Sequence, residues 1–353
     1  MNFPRRLERL RQAMHEANIS AVHLVRPENL AWLTGARTHI ALMGERGVLE
    51  AIITPDHCTF ISNAIEACRL EEEEGVPPIQ AYGWWETQER ERLVQEALGG
   101  QQAILDLPAL PAALERLRQH FEPDDDAALL QLGRDAGTAI ARAVRELRPE
   151  LTEFEASAHL AKEVIALGMT PVVNLCAGNE RLQSRRHPLP THARLGSKAL
   201  LVLCARRNGP IVSVSRMVSF TPPDAQEEQR YRTLLEIEAQ GLNAAERGGT
   251  LEEVFRALQT AYGTHHMPEE ITLHHQGGLA GYRPRESRAE PGNTLTVQDG
   301  HLLALNPSIS GFKVEDTFLR RDGRLLDLTL HDWPTLHIQG RARPGILHPT
   351  MTW

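Results

Sequence analysis

The stretch Gly277-Gly278-Leu279-Ala280-Gly281-Tyr282-Arg283-Pro284-Arg285-Glu286 decides how this chain is read. Three glycines in so short a run either form a nest of backbone N–H groups that holds an anion, or let two backbones approach more closely than a side chain would allow. The second use is commoner, so alone the glycines set a packing constraint. On their N-terminal side lie His265, His266, His274 and His275. No acid-plus-histidine spacing there fits a metal-ligand set, and the four are read as histidines with unrelated jobs in a helix-to-strand connection. On their C-terminal side, 301–306 and 314–319 read as strands.

Further out, Thr152 with Glu155 and Thr250 with Glu253 are capping boxes that open helices, and 127–147 and 227–246 carry helical patterns. Residues 198–204 and 211–220 are strand-like. Helices grouped beside strands at hairpin spacing predict an α+β domain. The turn-rich acidic run Glu122-Pro123-Asp124-Asp125-Asp126 places a boundary, giving domains 1–124 and 125–353. The first of these alternates: a helix over 4–16, a β-branched run over 19–25, a helical turn closed by Gly35, paired strands over 47–53 and 59–61, and a strand over 101–106. It reads as a smaller α/β domain.

The chain has 353 residues, with 38 basic against 46 acidic, a net charge of −8. It lacks the basic excess that a phosphate backbone demands, so nucleic acid is not an expected partner. No apolar run reaches the roughly 18 residues of a membrane-spanning helix. Residues 1–14 are charged, without the apolar core of a secretory signal. Cys58, Cys68, Cys176 and Cys204 are scattered, which suits neither a disulfide framework nor zinc, and is read as reduced thiols in a cytoplasmic protein. Phosphate-loop, H-E-x-x-H and G-x-S-x-G motifs are absent.

The order of motifs resembles the pita-bread superfamily of creatinase, aminopeptidase P and prolidase. Asn29-Leu30-Ala31-Trp32-Leu33-Thr34-Gly35 is similar to the N-x-x-Y-L-T-G of the creatinase-type N-terminal domain. The stretch from Gly178 to His187-Pro188 resembles the one that ends in the family's first active-site histidine. Asn208-Gly209 through Ser215-Arg216 is similar to G-Y-x-x-D-x-T-R, Gly277 through Glu286 to G-H-G-x-G-x-x-x-H-E, and Val314-Glu315-Asp316-Thr317 to I-E-D-T. The resemblance implies a creatinase-type N-terminal domain and a pita-bread C-terminal domain.

The family's peptidases hold two metal ions with two Asp, one His and two Glu. Carried across by position, the second Asp falls on Ser213 and the first, eleven residues earlier, on Val202. The His falls on Gly278, the first Glu on Asn306 (or on Gln298 in another alignment), and only the last Glu survives, as Glu315. Such a set cannot balance two divalent charges, so no metal and no cofactor are expected; the alternative is a new metal site that uses the nearby His274, His275 or His301. His187, Glu286 and Glu315 are the candidate catalytic residues. Arg216, Ser213, His275, Gln276, Tyr282, Arg285 and Asn306 are the candidate ligand contacts, with Arg216 also the natural ion-pair partner of Glu315.

The resemblance therefore implies an Xaa-Pro peptidase-like protein without the di-metal centre, binding a small peptide or amino-acid-like ligand. The alternative is a metal-independent C–N hydrolase of the creatinase type, with His187 as acid/base beside Glu286 or Glu315. The bland reading of His187 is a hydrogen-bonded residue in an idle cleft. A shell used only for interaction, and a metal-dependent Xaa-Pro dipeptidase, complete the set. The family's habit makes a homodimer plausible. Residues 332–353 are expected to be an extended surface segment.

Overall fold

The computed structural model describes residues 2–348. They form two compact units, 1–120 and 121–353 by chain limits.

In the first unit, α1 (Phe3–Glu16) begins at Asn2, whose side chain accepts from Arg5 N. It leads to β1 (Ala21–Leu24), a fully buried strand, and α2 (Pro27–Thr34), which ends where Gly35 takes φ 81°. A hairpin follows, β2 (Leu49–Ile53) and β3 (Cys58–Asn63), then α3 (Ala67–Glu72), β4 (Ile79–Tyr82), α4 (Thr87–Leu98), β5 (Ala103–Leu105) and α5 (Ala112–Glu115). The sheet order is β4-β3-β2-β1-β5, with β5 and β4 added parallel at the two edges. The α/β reading of this unit holds, although β4 and α4 give too weak a pattern to be seen in advance. The acidic run Glu71 to Glu74 lies at the end of α3, where Glu74 binds Arg37 and Glu71 accepts from Ile79 N. Glu71 and Glu74 thus tie down neighbouring chain, while Glu72 and Glu73 are exposed.

In the second unit, α6 (Asp126–Arg145) and α7 (Glu153–Ala166) pack together against a three-stranded antiparallel sheet of β6 (Thr170–Gly178), β7 (Lys198–Arg206) and β8 (Ile211–Ser219). A short helix, α8 (Asn179–Leu182), follows β6. On the other side, α9 (Ala225–Glu246) and α10 (Leu251–Thr264) pair, and α9 packs on a five-stranded sheet. That sheet holds β9 (Gly277–Ala280), β10 (Ser287–Arg288), β11 (Leu302–Leu305), β14 (Asp316–Arg321) and β15 (Arg324–Asp327), in the order β10-β9-β11-β14-β15. β12 (Ser308–Ile309) and β13 (Phe312–Lys313) make a small hairpin inserted before β14. Both predicted capping boxes form, at Thr152 and Thr250, and a third at Asp224 starts α9.

The two sheets meet where Ser215 bridges Glu315 and where Ser213 exchanges bonds with Thr317. This junction positions the site. The glycines of β9 are there for close approach: a Cβ on Gly277 would lie 2.1 Å from the Ala304 carbonyl oxygen and one on Gly278 2.1 Å from that of Ser287.

The extended tail expected over 332–353 is instead a hairpin, β16 (Thr335–Ile338) with β17 (Arg341–Pro344), and residues 349–353 lie outside the described ones. The hairpin is drawn in by Arg343. Its guanidinium reaches Glu238 of α9, Asp316 of β14 and Asp327 of β15, all within 2.9 Å. Such a buried cation is tolerable because every one of its charges is met.

Candidate functional site

Glu315 sits at the centre of the sheet junction and is buried. Arg285 Nη2 lies 2.6 Å from its Oε1, the Ser215 hydroxyl donates to Oε2 at 2.8 Å, and Lys313 Nζ is 3.6 Å from Oε2. Burial opposes the charge on Glu315, but Lys313 and Arg285 outweigh it and hold the carboxyl below its ordinary range. Burial pushes the Lys313 ammonium down, and Glu315 resists that shift. Arg285 also donates to the Ser213 hydroxyl at 3.2 Å, while its Nε, buried, has no acceptor among the described residues.

Ser213 is faced across the β7–β8 pair by Cys204, whose Sγ lies 3.2 Å from the Ser213 hydroxyl. Val202, where counting put the first acid, faces Ser215 instead. The Cys204 thiol, pushed up to about 11 chiefly by burial, is no thiolate. Gly278 has no room for any side chain. Asn306 follows β11 beside Gln276, and its buried Oδ1 has no donor among the described residues. One carboxylate, already bonded to two cations, is the wrong charge and number of donors for two divalent ions.

Three histidines gather beside this cluster. His187 Nε2 is 3.0 Å from His274 Nε2, and the rings of His274 and His275 stack with centroids 4.6 Å apart. Arg186 reaches Glu270 at 2.5 Å, tying the His187 loop to the turn that precedes His274. Gln276 fixes the other end: its Nε2 donates to the His274 carbonyl, and its Oε1 lies 3.1 Å from the Tyr262 hydroxyl. Burial foremost, and the charges of Lys313 and Arg285, lower all three imidazoles, His275 to about 4. The rings are therefore neutral near pH 7. The reading of His274 and His275 as unrelated to each other's surroundings is corrected here, while His265 stays apart near Glu236.

The remaining expected contacts fall elsewhere. Arg216 does not pair with the Glu315 carboxylate: β8 alternates, so Ser215 faces Glu315 and Arg216 faces the opposite side, on Asp316 at 2.7 Å and the Thr329 carbonyl. It touches Glu315 only at the backbone oxygen. The Glu286 carboxylate accepts from the backbone N–H groups of Tyr282 and Arg283, so it shapes its own loop. Tyr282 is buried, stacked on Phe121 with centroids 5.7 Å apart. Sequence reasoning missed Lys313, Ser215 and Cys204, and named His274 only as a donor of an alternative metal site. Lys313 had a legible signal, since it stands two residues before Glu315 and so shares its side of an extended chain.

An α/β domain followed by two sheets clasped between helix pairs, with the site at the sheet junction, defines the creatinase–prolidase class of architecture. The chain belongs to metallopeptidase family M24: the model of that family matches residues 127–322, and the creatinase/prolidase N-terminal domain matches residues 6–134. No curated protein matches the sequence significantly. Among solved structures, the chain is similar to an Xaa-Pro dipeptidase from Bacillus anthracis, at 18% identity and TM-score 0.79 over 96% of this chain and 99% of that one. It is similar to the prolidase from Pyrococcus horikoshii OT3, at 16% identity and TM-score 0.76 over 92% and 98%. It is also similar to the N-terminal domain of FACT complex subunit SPT16 from Cicer arietinum (chickpea), at 12% identity and TM-score 0.69 over 93% and 96%. At these identities the likeness speaks for the fold. Among the described residues no helix is long and apolar enough to cross a membrane.

Proposed function

We propose that this protein is a prolidase-like member of its family that works without the di-metal centre and binds a small zwitterionic ligand, an amino acid or short peptide, at the sheet junction. The observation that carries the reading is the charge count at Glu315: two cations, the half-buried Arg285 and the buried Lys313, face one buried carboxylate. The guanidinium and ammonium hold the positive charge that metal ions supply in the family's peptidases. The surplus positive charge favours a ligand carboxylate, more strongly in a partly buried site than in open water. Two orphaned polar atoms support the same ligand, since Arg285 Nε is a donor without an acceptor and Asn306 Oδ1 an acceptor without a donor. A zwitterion offers both complements.

The test is calorimetric titration of the full chain in excess chelator with free amino acids, Xaa-Pro dipeptides and the same dipeptides amidated at the C-terminus. Binding of the free acids that is lost on amidation and weakened at least about tenfold in Arg285→Gln supports the reading. Absence of binding across the panel overturns it.

A metal-independent hydrolase is the second reading. It draws on His187, whose ring is exposed and neutral and so able to take up a proton. Hydrolysis of peptides or amidines that survives chelator and disappears in His187→Ala would establish it.

A further inference from the structure

From the three-histidine cluster we infer a mononuclear transition-metal site, formed by His187, His274 and His275 and distinct in residues and stoichiometry from the family's carboxylate centre. One ligand nitrogen from each ring lies within 4.8 Å of the others. Three imidazole nitrogens this close together are a donor set that suits zinc, cobalt, nickel or copper, whereas magnesium and calcium require oxygen donors. The inference rests on the placement of the rings alone and does not depend on what the neighbouring cations bind.

Three features make the cluster a site rather than a coincidence of aromatic packing. It is prearranged from two distant segments, since the Arg186–Glu270 pair draws the His187 loop against the His274–His275 segment. The adjacent Gln276 is itself locked by Tyr262 and the His274 carbonyl, so the backbone that carries two of the rings is fixed. The burial is graded: His274 is buried, His275 half-buried and His187 exposed, which leaves an entry path from solvent on the His187 side.

The charge balance sets the kind of ion and the strength of binding. Three neutral ligands leave a divalent ion with its whole charge, and Arg285 and Lys313 add repulsion. The site therefore takes a single ion, more weakly than a carboxylate-balanced centre does, and its fourth position calls for an anion such as hydroxide or a carboxylate. Removing one of the nearby cations must tighten it, a result that a merely structural role for the histidines does not produce.

The experiment uses tag-free full-length chain, freed of metal by chelator and then dialysed. Cobalt(II) is titrated in, following the visible d–d absorption, and zinc(II) is then used to compete it away. The expected result is one cobalt per chain with the intense bands of a four-coordinate ion, displaced by one equivalent of zinc. His187→Ala, a surface change that leaves the circular dichroism spectrum intact, is expected to weaken uptake by more than about tenfold, as is His275→Ala. Lys313→Met is expected to bind several-fold more tightly. Absence of stoichiometric cobalt uptake up to millimolar concentration overturns the inference. So does uptake that persists in His187→Ala and His275→Ala, or uptake of two ions that depends on Glu315.

Discussion

Glu315 and Asp316 are consecutive residues whose carboxylates serve opposite sides of the same strand. Glu315 faces Arg285 and Lys313 at the sheet junction, and Asp316 faces Arg216 and Arg343 in the core. The alternation of an extended chain separates them, so one dipeptide divides the domain's buried charge into a site half and a scaffold half. The two halves should respond differently to mutation.

In the scaffold half, Arg216→Met leaves Asp316 with fewer partners, and Arg343→Met leaves Glu238, Asp316 and Asp327 without their common cation. Each is expected to cost about 3–5 kcal/mol, the toll of breaking a buried charge network from one side. Urea unfolding of the two variants measures it. A loss under 1 kcal/mol would mean the network is not a stabilising unit.

In the site half, Glu315→Gln strands Arg285 and Lys313 together and is expected to destabilise by a similar amount, about 3 kcal/mol. The double variant Glu315→Gln/Lys313→Met removes one of the stranded cations and should recover part of that loss. A double-mutant cycle from thermal or urea unfolding reads the coupling, and additivity of the two changes would show that Lys313 and Glu315 do not interact.

Gly277→Ala and Gly278→Ala test the close approach of β9 to its neighbours. Both positions combine positive φ, 102° and 147°, with a backbone oxygen where the methyl group would go. Neither variant is expected to give folded protein. Gly263→Ala is the control: it lies within α10 with open space around its Cα, and alanine there should stabilise by about 0.5–1 kcal/mol. Soluble yield and melting temperature distinguish the three.

The first unit contains its own pH-sensitive element. Burial would raise the Glu50 carboxyl, but His23 and Arg90 outweigh it and lower it from 4.5 to about 2. A depressed carboxyl contributes stability that is complete above its unfolded value and is lost as pH falls from about 4.5 towards 2. The loss integrates to about 3 kcal/mol. Glu50→Gln should flatten stability against pH in that window while lowering it at pH 7. An unchanged acid limb in the variant would place the acid sensitivity in other groups.

What was legible in the sequence was local or motif-bound. Thr152 and Thr250 announce their helices because capping is a matter of residues three apart. Glu315, Arg285 and Ser213 were recognised because motif order survives where chemistry has changed. β6 and β9 were not foreseen: β6 is only half-buried along its first residues and carries Pro171 and Asn174, and β9 is half glycine. The meeting of His187 with His274 could not be read, because they stand 87 positions apart and no periodicity in the chain between them predicts which loop closes on which turn. Arg216 was assigned to the wrong carboxylate for want of one fact, the side of the strand on which each residue falls.

The Arg343 clamp also has a consequence for synthesis. Glu238, Asp316 and Asp327 are all made before the arginine that bridges them, and Glu238 precedes it by 105 residues. A nascent chain that has not yet delivered β17 holds Glu238 and Asp327 without the arginine that meets them and Asp316 with Arg216 alone, so burying this cluster costs more until the hairpin arrives. The same order makes the hairpin a separable piece. A chain halted before Trp333 should remain unfolded alone and be completed by a synthetic peptide spanning 333–348, much as a keystone set last closes an arch.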